Sequence, residues 1–75
     1  MTRKKPHTFH VASEMLVGNV VAHILTDGED TAWLIYGPAG QILAVSQPLP
    51  FSPDEIEPVV RSMAVALSQL YRMPV

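Results

Sequence analysis

Ser13-Glu14-Met15-Leu16-Val17-Gly18-Asn19-Val20-Val21-Ala22-His23-Ile24-Leu25 decides the fold of this chain. Two readings compete for residues 13–25. Ser13 can cap a helix running to Leu25, or Gly18-Asn19 can close a hairpin between two strands. Gly18, Asn19 and the β-branched Val17, Val20, Val21 and Ile24 all weaken a helix. Glycine and asparagine accept positive φ, which a two-residue hairpin requires. The hairpin is therefore the better reading.

The same period continues outward. Toward the N-terminus, Phe9, Val11, Ser13, Met15 and Val17 fall on one side, and Thr8, His10, Ala12, Glu14 and Leu16 on the other, as in a strand. Toward the C-terminus, Val20–Thr26 is a second strand and Asp27-Gly28-Glu29-Asp30 a turn. Thr31–Tyr36 is a third strand, Gly37-Pro38-Ala39-Gly40 a turn and Gln41–Ser46 a fourth strand. Connections this short imply antiparallel neighbours. Gln47 to Phe51 is a connector that Pro48 and Pro50 keep extended.

Ser52-Pro53-Asp54-Glu55 then announces a helix. Serine stands at the N-cap, proline in the first turn and glutamate at the third helical position, so cap and glutamate satisfy orphan amides reciprocally. Ile56, Val60, Met63, Leu67 and Leu70 form one apolar stripe. Pro58 removes a backbone donor, so a bent first turn is expected before a regular helix from Pro58 to about Arg72. The fold class expected is α+β: a four-stranded antiparallel β-meander followed by one C-terminal α-helix. Residues 1–6 are read as a flexible basic tail and residues 7–75 as a single small domain. This order of elements is similar to that of the single-stranded-DNA-binding transcriptional coactivators, although the basic strands of that family are absent here.

Charge narrows the function classes. The chain has five basic residues and seven acids among its 75 residues. From Pro6 to Val60 it contains no lysine or arginine, while Glu14, Asp27, Glu29, Asp30, Asp54, Glu55 and Glu57 all lie in that stretch. A body without cations cannot neutralise phosphates, so nucleic-acid binding is disfavoured. Its remaining route would be the Arg3, Lys4 and Lys5 tail with Arg61 and Arg72. There is no cysteine, which excludes disulfides and thiolate zinc sites. No apolar run is long enough to span a membrane, and the expected location is cytoplasmic.

Catalytic and metal chemistry find little support. His7 and His10 would point to opposite faces of a strand, and His23 sits among apolar neighbours, where a satisfied core or interface histidine is the simpler reading. Asp27-Gly28-Glu29-Asp30 lacks the ligand spacing of a calcium loop. No nucleophile elbow or phosphate-binding glycine loop is present. No enzyme activity, metal or cofactor is therefore expected.

The strands carry a different message. Ala32, Leu34 and Tyr36 alternate with Thr31, Trp33 and Ile35, and Ile42 and Ala44 with Leu43 and Val45, so both faces of the sheet are apolar. One helix covers one face. A chain of this length buries only about 60–65% of its unfolded surface, so a covering partner would also support a marginal core. The expectation is a patch of Trp33, Ile35, Leu43 and Val45, rimmed by Asp27, Glu29 and Asp30, that meets a second copy or another protein. The connector, with Leu49 and Phe51, is the alternative cover for part of it. The expected function is a small non-enzymatic binding module, an inhibitor, adaptor or regulator, with a homodimer as the expected assembly. By analogy it resembles the accessory proteins of phages and mobile elements, including inhibitors of host defence.

Overall fold

The computed structural model describes residues 8–72. Strands β1 (His10–Val17), β2 (Val20–Thr26), β3 (Thr31–Tyr36) and β4 (Ile42–Val45) precede one helix, α1 (Pro53–Leu70). The strands pair antiparallel in the order β1-β2-β3-β4, the expected meander. Residues 13–25 are the hairpin, with Val17 opposite Val20. Gly18 has φ +58°, and among the described residues none other than glycine has positive φ. The turn thus needs its glycine at the first of its two central positions, as in a type II′ hairpin.

The second turn is organised by its own side chains. Asp27 Oδ1 accepts from the amides of Glu29 (2.9 Å) and Asp30 (2.8 Å). Thr26 Oγ1 donates to the Asp30 carbonyl at 2.7 Å and accepts from Gly28 N at 3.1 Å. These bonds replace the ladder at the strand ends, an Asx-type solution to turning the chain.

Helix α1 begins as its cap signal requires. The Glu55 amide donates to Ser52 Oγ (3.3 Å) and the Ser52 amide to Glu55 Oε1 (2.9 Å). Helix α1 starts at Pro53 rather than Pro58, carries Pro58 inside it and ends at Leu70, short of Arg72. A proline at the sixth helical position deletes a single bond, to the carbonyl of Asp54. Both residues are exposed, so water can take the place of the lost donor.

Ile56, Val60 and Ala64 of α1 are buried against Met15, Val20, Ala22, Ile24 and Ile35. Ile24, Ile35, Val20 and Val60 are the largest fully buried apolar side chains, each contributing about 2 kcal/mol. The helix lies over β2 and β1 more than over β3. Trp33, Leu43, Ala44 and Leu49 complete this layer on the β3–β4 side. Leu49 is held there because its amide and carbonyl both pair with Thr31 (2.8 and 2.9 Å). The connector therefore covers part of the helix-side face.

At the far end, Asn19 Nδ2 donates to the Tyr71 carbonyl at 2.7 Å, tying the first hairpin to the helix C-terminus. Gly18 lies so close to α1 that a Cβ there would collide with Ser68 Oγ and sit 3.2 Å from Ser68 Cβ.

Two stability predictions follow from these contacts. Gly18→Ala should destabilise by about 1–3 kcal/mol through its backbone conformation and the Ser68 collision together. Adding Ser68→Ala should recover only the collision part, which urea melts of the single and double variants separate. Pro58→Ala should raise the urea midpoint at unchanged slope, gaining about 1–3 kcal/mol by restoring a helix bond. An unchanged midpoint would mean that the proline has no net cost in this helix.

Candidate protein-binding face

Cross-strand register defines which side chains share a face, because directly paired residues point the same way. One set of rows faces α1: Met15, Ala22, Ile35 and Ala44, then Ser13, Ile24 and Trp33. The intervening rows face away: Leu16, Val21, Tyr36 and Ile42, then Glu14, His23, Leu34 and Val45, then Val11, Leu25 and Ala32. No described element covers these three rows.

The expected patch is therefore corrected. Trp33 and Ile35 are on the covered face: Ile35 is fully buried and Trp33 packs against the core. Leu43 also packs against the core, next to Ala44. Only Val45 of the four apolar candidates is on the open face. Trp33 and Ile35 are covered because α1 packs on their side of the sheet, and two irregularities divide the other residues. The register slips between Val11 and Ser13, and again where β4 meets Ile35 and Tyr36. A one-residue bulge reverses which face the following side chains reach. Strict alternation thus put Val11 beside Met15 and Leu43 beside Val45, whereas each pair is divided between the faces.

The open face is apolar over most of its extent. Leu16 is 73% exposed, Val45 61%, Ile42 60% and Val11 51%. Val21, Leu25, Leu34 and Tyr36 are half-buried between them. The charged or titratable groups at its centre are few and mutually engaged. His23 Nε2 donates to Glu14 Oε2 at 2.9 Å, and the His23 ring meets Tyr36 edge-on at 5.3 Å.

The three acidic candidates have separate fates. Asp27 spends its carboxylate on the turn, Glu29 is exposed and Asp30 is half-buried. The topology sets this turn at the end of the sheet where Thr31 pairs with Leu49, and α1 starts four residues later. Asp54 and Glu55 consequently share that end with Asp27, Glu29 and Asp30. The opposite end, with the Gly18-Asn19 and Gly37–Gly40 turns, has no acid in its turns.

Of the residues proposed for nucleic-acid contact, two are described. Arg3, Lys4 and Lys5 lie outside the described residues. Arg61 pairs with Glu57 at 2.6 Å on the outer side of α1, and Arg72 stands beyond the helix end. The depression lined by Asp54, Glu57, Pro58, Arg61, Ser62 and Val65 is made by α1 alone and encloses nothing. His7 also lies outside the described residues and His10 is exposed. Among the described residues no three His, Asp or Glu side chains converge as metal ligands. No helix among them is long and apolar enough to cross a membrane.

No protein-family model, curated protein or solved structure matches the chain. The likeness to the single-stranded-DNA-binding coactivators thus remains one of element order.

The corrected position of Trp33 has a measurable consequence. Trp33→Ala should cost about 2–4 kcal/mol of folding stability, as truncation of a packed aromatic does. An unchanged urea midpoint would return Trp33 to the surface.

Proposed function

We propose that this chain is a non-enzymatic protein-binding module, a regulator or inhibitor that works in the cytoplasm by contact through the open face of its sheet. The observation that supports this reading is the uncovered set of three rows, apolar apart from the Glu14–His23 pair. Leu16, Ile42, Val45 and Val11 surround half-buried Leu34, Val21 and Leu25. A four-stranded sheet at ~4.8 Å spacing and ~3.3 Å per residue presents a footprint of about 400 Å². A contiguous apolar patch of that size usually marks an interaction surface. The charge balance agrees, since a surface with its acid held against His23 suits an apolar partner better than a phosphate backbone.

Site-specific photo-cross-linking in the producing cells tests the reading. A photoreactive residue in place of Val45, on the open face, should give a protein adduct. The same residue in place of Val59, exposed on α1, should give none. Absence of any adduct from position 45, or adducts only from position 59, would refute it.

A further inference from the structure

We infer that the occupant of the open face is a second copy of this chain, stacked sheet on sheet with the strands of the two copies running in opposite directions. The inference rests on the reading of this face as a protein-contact surface and names its partner.

Composition is the first argument. Interfaces with unlike proteins draw their energy from anchors of Trp, Tyr and Arg. Here the sole tryptophan is packed on the covered side, the three rows carry no arginine, and Tyr36 is their one aromatic apart from His23 among mostly Val, Leu and Ile. Such apolar surfaces share the composition of homodimer interfaces, which are more apolar than contacts between unlike proteins. Two sheets that present alternating aliphatic side chains interdigitate as the inner faces of a β-sandwich do, about 10 Å apart.

Charge is the second argument. A two-fold contact sets each patch against its own copy, so an unpaired charge would meet its like. The central acid, Glu14, is held 2.9 Å from His23, and no other Asp, Glu, Lys or Arg belongs to the three rows. Charge also selects the direction of stacking. With the two-fold axis across the strands, the Asp27–Asp30 turn of one copy lies over the uncharged Gly18-Asn19 and Gly37–Gly40 turns of the other. With the axis along the strands, the two acidic ends would repel.

Area sets the strength. Two footprints sum to about 800 Å², and side-chain relief raises the accessible area buried above that figure. This falls at the lower end of specific interfaces, which calls for a micromolar dimer.

Sedimentation equilibrium of the purified chain, from micromolar to millimolar concentration, tests the inference. The expected result is a monomer–dimer equilibrium that Val45→Asp and Leu16→Asp each weaken about tenfold or more, because they bury an unpaired charge. Val59→Asp on α1 should leave it unchanged. Val45→Thr keeps β-branching and strand geometry, and should weaken the dimer about two- to fivefold even if an aspartate variant fails to fold. A monomer throughout, or a dimer sensitive only to Val59→Asp, overturns the inference. If the purified chain is monomeric while position 45 cross-links to another protein in cells, self-association fails and the contact face stands. If position 45 gives no adduct either, both fail.

Discussion

One helix against a sheet that is apolar on both sides is the constraint from which the rest follows. The stripe of Ile56, Val60 and Ala64 can bury only the rows it touches, Val20, Ala22, Ile24 and Ile35 with Met15. Ala22 and Ala64 are fully buried and add little bulk, so the helix can lie close to β2. That closeness explains why Gly18 has no room for a Cβ beside Ser68, and why Asn19 can reach the last carbonyl of the helix region. The cap at Ser52 and the tether at Asn19 fix the two ends of α1 over one face. They thereby determine which face remains open.

The division between covered and open faces also separates what was legible in the chain from what was not. The hairpin at Gly18-Asn19 and the start of α1 at Ser52 are signalled by residues whose local chemistry acts over two or three positions. Distant packing does not need to be known for either. The identity of the open face is a matter of parity, which any inserted residue inverts. Ala12 stands between Val11 and Ser13, and nothing in that run marks a bulge. At β4, Leu43 and Ala44 are both apolar, so alternation cannot reveal that both belong with the core. Aromatic residues lead binding surfaces, which favours Trp33 as a contact residue, yet the same bulk serves equally well to fill the layer left beside the helix.

The sheet edges and the open face are treated differently by this sequence. β4 has only four residues, and Ser46 interrupts its continuation by donating its amide to the Trp33 carbonyl while its hydroxyl accepts from the Trp33 amide. Pro48 and Pro50 follow, so an added strand would find few donors on that edge. β1 is long, but its register slip next to Ala12 distorts the row of free backbone groups, and distortion of this kind discourages edge pairing. The broad surface has no comparable guard. It carries no lysine, no proline and no unpaired central charge, although such residues are the ordinary means of keeping a sheet face solitary. On the proposed reading, a chain that obstructs association along its edges while leaving its face largely apolar directs contact to that face, and such contact would add to the stability of so small a core.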